Sequence, residues 1–184
     1  GVQTCALPIL YHFRLEWSHW SWMRVVLGGE SFSALAEGLQ EALGQLGGVP
    51  SEHKTDSLRA AWKHRGEDGQ RELTERYAEL CRHYGMQGVH NNAGRGHENG
   101  SVESAHGHLK RRIRQALILR GSNDFSTLEE YQAFITQQVM RHNRNNQDLV
   151  KEEQPHLKPL PLRRSADYDE LTVRVSSSST INVR

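Results

Sequence analysis

Two carboxylates in this chain have a position and a spacing that would suit metal chemistry. Asp56 precedes a short segment that favours a helix, and Glu103 lies near the start of a second helical pattern. The two acids are 47 positions apart (103 − 56), so they belong to separate segments. Hard divalent cations bind oxygen ligands, and Mg²⁺ usually takes a few carboxylates together with water and substrate phosphate. Asp56 and Glu103 are therefore candidates for a metal site that supports phosphoryl transfer, although many acid pairs meet this criterion.

Each acid also has a purely structural interpretation. Asp56 would serve well as the N-cap of a short helix. Glu103 lies about 100° around the helix from Val102, at the border of an apolar stripe that recurs at steps of three or four. That stripe consists of Val102, Ala105, Leu109, Ile113 and Ala116. An acidic first turn and a basic last turn are also what the helix dipole favours, so the pattern alone does not decide between the two interpretations.

Other polar residues cluster around Glu103. Four cations follow it, namely Lys110, Arg111, Arg112 and Arg114, and their spacing alone predicts a solvated helix face. His97 and Glu98 are close enough in sequence to orient substrate or water. The neighbouring histidines, together with Cys81, match no spacing of a structural zinc site.

Hydrophobic periodicity predicts the elements that would position these residues. Residues 10–17 and 22–27 read as a β-hairpin, and its tryptophans are expected to pack within it. Ser31 would cap a helix that ends at Gly47 and Gly48. A second helix is predicted over residues 71–84, a brief strand over 86–90, and a later helix opening at Ser126 with Leu128, Tyr131, Phe134, Ile135 and Val139 facing inward. The pattern indicates an α/β domain without a glycine fingerprint for nucleotides.

The remaining segments carry weaker signals. Residues 49–55 show no strand periodicity, and residues 63–70 are predicted to be a charged loop. Residues 151–164 contain three of the five prolines and are predicted to be a linker or extended arm. Residues 171–175 and 180–183 alternate as in the first hairpin of another β-rich unit.

Composition restricts the function classes only broadly. The net charge of the 184 residues is +1, so only local patches could favour nucleic acid. No apolar run is long enough for a membrane span, and two cysteines without a CxxC motif fit a reducing compartment. Residues 1–9 lack charge and resemble a translated sequencing adapter, so we expect them to be non-native.

Four stretches, in this order and spacing, resemble the catalytic domain of IstA-type transposases, which are DDE enzymes of the retroviral-integrase superfamily. They are VVLGGESFSALAEGLQEALGQLGGVP, HKTDSLRAA, CRHYGM and NNAGRGHENGSVESAHGHLKRRI. The similarity covers most of residues 10–168. It implies a ribonuclease-H-like mixed sheet flanked by helices, followed by a linker and the start of a small β-barrel. The family's second catalytic Asp falls on Asp56, and its catalytic Glu falls on Glu103.

The resemblance further implies a function for the intact parent protein. That function is Mg²⁺-dependent DNA cleavage and strand transfer at a two-metal site, where Mn²⁺ could substitute. Asp56 and Glu103 would be metal ligands, and the four cations of residues 110–114 would contact DNA phosphates. Implied partners are transposon-end and target DNA, an AAA+ ATPase helper and further copies of the protein, in the bacterial cytoplasm on the nucleoid.

The first catalytic Asp of the family lies upstream of Leu10, so we expect this piece to be inactive alone. The expected division is an adapter-like segment (1–9), a catalytic domain without its first strand (10–148), a linker (149–168) and the beginning of a β-barrel (169–184). Two alternatives remain open. One is a non-catalytic DNA-binding or partner-docking module, whose DNA affinity would not respond to Mg²⁺. The other is a translated sequencing fragment, which resequencing across the codons for Ile9 and Leu10 would test.

Overall fold

A computed structural model describes residues 9–26, 31–55, 61–65, 70–90 and 96–165. Side chains are not described at residues 9, 62–65, 70–73, 90 and 96–103. The described residues form a mixed α/β fold, mostly helical, with three two-stranded sheets. The elements are β1 (Ile9–Arg14), β2 (Ser21–Val26), α1 (Phe32–Leu46), β3 (Glu52–Thr55), β4 (Trp62–Arg65), β5 (Gln70–Leu73), α2 (Glu75–Tyr84), β6 (Gln87–His90), α3 (Gly96–Arg120), α4 (Leu128–Asn145), α5 (Gln147–Glu153) and a 3₁₀ turn (Gln154–His156).

The predicted hairpin is confirmed. β1 and β2 pair antiparallel, from Ile9 opposite Val26 to Arg14 opposite Ser21. Because successive side chains of a strand point to opposite faces, Phe13 packs towards α1 and α2, whereas Leu10 packs towards α3 and α4. The prediction for the tryptophans is wrong at one of them, since Trp17 in the turn is 63% exposed.

Helix α1 forms as its sequence predicts. The Ser31 hydroxyl accepts a hydrogen bond from the Ala34 N–H, and Gly47 ends the helix in the left-handed region with φ of 77°. Its apolar stripe is buried against the hairpin, which it approaches closely at Gly38. A Cβ atom at that position would clash with the Tyr11 ring, so the glycine permits this contact.

The structure corrects the prediction for residues 49–73. Residues 52–55 form β3, parallel to β6, and their signal was hidden because the inward-facing residues of β3 are the polar His53 and Thr55. Residues 63–65 of the predicted charged loop lie in β4 and residue 70 opens β5, and these two strands pair antiparallel. Helix α2 therefore begins at Glu75 with Thr74 as its cap, and Trp62 lies in a strand rather than in a short helix.

The C-terminal part of the described chain is more closely packed than predicted. Thr127 rather than Ser126 caps α4, and Leu128 is 40% exposed instead of facing inward. The first part of the expected linker is helical, and Leu157 packs against the core. Lys158 forms backbone hydrogen bonds with Val49 in both directions, at 2.8 and 2.9 Å. The predicted hairpin after residue 170 lies outside the described residues, and the division into domains stays a prediction.

The core has one cluster on each face of the β1–β2 hairpin. The larger cluster joins the hairpin to α1 and α2, and the smaller one joins it to α3 and α4. The smaller cluster contains Met23, Val25, Leu109, Ile113, Ile135 and Val139. Two residues of the stripe predicted for α3 are thus in the core. Among the described helices, none combines the length and apolar character that crossing a bilayer requires.

Candidate functional site

The predicted catalytic acids fall at the margin of the described structure. Asp56 lies outside the described residues, directly after Thr55 at the end of β3. Glu103 lies within α3, but its side chain is outside the description, as are those of His97 and Glu98. The roles of these four residues therefore stay predictions.

The backbone around these acids has a defined arrangement. Because β3 and β6 are parallel and Thr55 pairs with His90, both strands end at the same edge of their sheet. In the sequence, Asp56 directly follows β3, and α3 is the next described element after β6. In α/β folds, ligand sites gather at the carboxyl ends of parallel strands. Within the part of the chain that is described, no three His, Cys, Asp or Glu side chains form a group that could hold a metal.

A basic cleft of about 550 Å³ lies between the β1–β2 hairpin, α3 and α4. Three arginines line it, namely Arg14, Arg111 and Arg112. Four histidines also line it, namely His12, His19, His108 and His142. No carboxylate occurs among the described residues of this lining. The composition of the basic cleft is therefore that of an anion site rather than of a divalent-cation site.

Strand periodicity in β1 and helix periodicity in α4 place side chains that line the basic cleft. The period of two places His12 and Arg14 on the face of β1 that also carries Leu10. On α4, His142 follows the buried Val139 at a spacing of three and so lies on the same side of that helix. His12, Arg14 and His142 therefore border the smaller apolar cluster.

Hydrogen bonds join the β1–β2 hairpin to α4 beside the basic cleft. The Asn143 amide of α4 accepts from the Ser21 N–H and donates to the Ser21 carbonyl, both at 2.9 Å. His142 Nε2 lies 3.1 Å from the His19 carbonyl, which that nitrogen contacts as a donor. The Arg14 guanidinium contacts the His19 ring, with Nη2 and Nδ1 2.5 Å apart.

The surroundings of His12 and His142 in the basic cleft disfavour protonation of these two rings. The His12 and His106 ring centroids are 4.9 Å apart, and His12 Nε2 is buried without a hydrogen-bond partner. Burial, together with the charges of His106, Arg14 and His142, lowers the pKa of His12 to about 3. Burial likewise lowers the pKa of His142, where Arg112 adds to the shift although a hydrogen bond to His19 opposes it.

The four predicted DNA contacts divide into two pairs. Arg111 and Arg112 line the basic cleft, whereas Lys110 and Arg114 are exposed on α3 outside it. The ion pairs of the described residues involve other cations, such as Arg24 with Glu37 and Glu41. Among the described residues, none of the four forms an ion pair with a carboxylate.

Sequence reasoning missed the sides of the basic cleft that the hairpin and α4 form. Arg14, His12, His19 and His142 were not candidates, because the hairpin and α4 were interpreted only as packing. The available signal was the alternation in β1, where polar His12 and Arg14 interleave with apolar residues. That pattern marks a second face but does not reveal what packs against it.

No model of a known protein family matches the chain. A curated relative, the uncharacterized protein y4jA/y4nE/y4sE of Sinorhizobium fredii (strain NBRC 101917 / NGR234), is 50% identical over 176 residues. The match covers 96% of this chain and 35% of the relative, so this chain spans about a third of that protein's length.

Among solved structures, the chain is similar to one from the simian T-cell lymphotropic virus intasome in complex with PP2A regulatory subunit B56 gamma. The TM-score is 0.58 at 15% sequence identity, over 89% of this chain and 59% of that chain. At this identity the similarity shows the fold alone.

Proposed function

We propose that this chain belongs to a DDE transposase of the IstA type that cuts and joins DNA. The observation that carries the proposal is the similarity in fold to a chain of an intasome structure, which extends over 89% of this chain. The basic cleft against α3 supports it independently, since DNA is recognised first through its phosphates.

The proposed fold is a ribonuclease-H-like mixed sheet flanked by helices. In the described structure, β1 bonds only to β2 and β3 bonds only to β6. The two pairs are near each other, because the Phe13 ring of β1 stacks on the His53 ring of β3 with 6.0 Å between centroids. In the proposed fold, one more strand between β1 and β3 would join the two pairs into one mixed sheet and carry the first catalytic Asp.

In this proposal Asp56 and Glu103 bind Mg²⁺, or Mn²⁺ in its place, through carboxylate oxygens. Two bound ions would supply Lewis acidity for attack on a DNA phosphodiester. The chain itself would hold the DNA backbone through Lys110, Arg111, Arg112 and Arg114, and His97 and Glu98 would orient substrate or water near Glu103. These phosphate contacts would be independent of sequence and sensitive to salt.

The decisive experiment uses the longer parent protein with its DNA ends. Glu103→Gln should abolish strand transfer but leave DNA binding unchanged, because it removes a metal ligand and not a phosphate contact. Glu79→Gln is a matched control, since Glu79 is an exposed acid on α2. Strand transfer by the Glu103→Gln protein would contradict the assignment.

The same proposal extends to partners and to domain division. An AAA+ ATPase helper, further copies of the chain and nucleoid DNA in the bacterial cytoplasm would be its partners. Residues 10–148 would form the catalytic domain, residues 149–168 the linker and residues 169–184 the start of a β-barrel.

The basic cleft also favours a second candidate function, a DNA-binding or partner-docking module without catalysis. That function needs the cations of the cleft and not the acids. It predicts the same DNA affinity with and without Mg²⁺, and unchanged activity of the parent protein after Asp56→Asn. Loss of strand transfer in Asp56→Asn would exclude it.

A further inference from the structure

The basic cleft has features beyond a charged helix face. Its walls come from three parts of the chain, the β1–β2 hairpin, α3 and α4. Arg112 is half-buried in it, whereas Lys110 and Arg114 of the same helix are exposed. We propose that the basic cleft is a pocket for a single phosphate group, which Arg14, Arg112, His12 and His142 hold together.

The charge balance of the hairpin supports an anionic ligand. Arg24, on the opposite face of the hairpin, is neutralised by Glu37 and Glu41 of α1. Arg112 has no such partner among the described residues. The Glu153 carboxylate accepts a hydrogen bond from the Ser18 N–H at 3.0 Å. Burial lowers the pKa of Arg14, and the negative charge of Glu16 in the turn opposes that shift.

His12 and His142 have ring N–H groups that could donate hydrogen bonds to a phosphate. His12 Nε2 is buried without a partner, and its ring faces His106 from α3 and His142 from α4, with Arg14 on its own strand. His142 in turn faces Arg112, Arg14 and His19. These neighbours disfavour a protonated imidazole, and a phosphate would reverse that balance because it is an opposite charge at close range. Phosphate binding should therefore be accompanied by proton uptake.

The position of the pocket relates it to the proposed active site. Ser104 lines the basic cleft and directly follows Glu103 in α3. A volume of about 550 Å³ exceeds the needs of one phosphate, and it leaves room for an attached sugar. Resting on the proposed function, we assign the phosphate to a DNA backbone held beside the helix that carries Glu103. The phosphate chemistry itself does not depend on catalysis.

The first test measures binding to the 184-residue chain. Inorganic phosphate should shift the NMR ring signals of His12 and His142, and it should displace a fluorescent DNA duplex. Arg112→Gln should weaken both interactions about tenfold, which corresponds to one charge-assisted hydrogen bond. Arg141→Gln, an exposed change of the same charge on α4, should alter phosphate affinity less than about twofold. Equal losses in the two variants, or no shift of the histidine rings, would overturn the pocket.

The second test uses pH, with the duplex as the probe because a phosphodiester keeps its charge where inorganic phosphate titrates. Duplex affinity should rise as the pH falls from about 7.5 to about 6, in addition to the effect of salt. His12→Gln and His142→Gln should each flatten this dependence, whereas His156→Gln, on the exposed 3₁₀ turn, should not. A dependence that is identical in all three variants would contradict proton uptake in the pocket.

The outcomes separate the sources of phosphate and the two proposals. Phosphate binding that does not displace the duplex would support the pocket and assign it to free phosphate. In the parent protein, strand transfer retained by Glu103→Gln together with intact phosphate binding would refute the proposed function alone. Absence of phosphate binding, with strand transfer dependent on Glu103, would refute the pocket alone.

Discussion

The two faces of the β1–β2 hairpin are built from the same strands but differ in what they contain. The face towards α1 packs Phe13 against an apolar helix stripe with fully buried Leu39 and Leu43, and its exposed rim pairs Arg24 with two glutamates. The face towards α3 and α4 is apolar at one end and basic at the other. Packing and charge pairing are both satisfied internally on the first face. On the second face, Arg112 of α3 has no ion-pair partner among the described residues, and such a cation is expected where a protein meets an anionic partner.

The largest predicted effect separates two glycines of α1, on the packed face. Gly38→Ala should lower the free energy of unfolding by about 2 kcal/mol, because its methyl group would overlap the Tyr11 ring. Gly44→Ala meets no atom within 4 Å and should raise it by about 1 kcal/mol through helix propensity. Urea denaturation of the two variants measures both signs. Equal effects would show that the packed face tolerates extra volume.

A second prediction concerns the joint between β2 and α4 beside the basic cleft. Asn143→Ala leaves the N–H and carbonyl of buried Ser21 without their partner, which should cost about 2 kcal/mol of unfolding free energy. The exposed Asn145→Ala should cost less than about 0.5 kcal/mol.

The Asn143→Ala variant also tests whether the two faces of the β1–β2 hairpin have different roles. Asn143→Ala should also weaken phosphate binding, because it releases the helix end that carries His142. Gly38→Ala, of similar stability cost, should bind phosphate as the unmodified chain does. Equal affinities of the two folded variants would remove the functional contrast.

The third prediction is a dependence of stability on pH. Burial lowers the pKa of His53 to about 4, from its ordinary value of 6.5. Below pH 6.5 the unfolded chain therefore binds a proton that the folded chain does not. Stability is greatest above that pH and falls as the pH drops from 6.5 towards 4, by about 1.4 kcal/mol per pH unit for this histidine.

His12 should add to this slope from the other face, since its pKa is lowered as well. Chemical denaturation between pH 7.5 and 4.5 measures the total. His53→Gln should flatten the slope and His156→Gln should not. Saturating duplex DNA should reduce only the part that belongs to His12, because only that ring lies at the basic cleft. A slope insensitive to DNA would argue against a ligand on this face.

Local sequence was sufficient where an element carries its own start, stripe and stop. Helix α1 is the best example, because Ser31 satisfies an N-terminal amide and Gly47 adopts the left-handed conformation that ends it. It was insufficient for β3, where the buried His53 forms a 2.8 Å hydrogen bond with Tyr77 from α2. A polar residue is predicted to be exposed unless the distant residue that forms a hydrogen bond with it is known.

The candidate site divides in the same way. The sequence by itself determined the β1–β2 hairpin, the helices α1 to α4 and a run of cations on α3, because periodicity, caps and composition are local properties. Only the tertiary structure decided that Arg112 faces a pocket and Arg114 faces solvent, and that His12 and His142, 130 positions apart (142 − 12), share that pocket. The physical reason is that a phosphate site needs donors converging from several directions, and convergence depends on how the hairpin, α3 and α4 pack together.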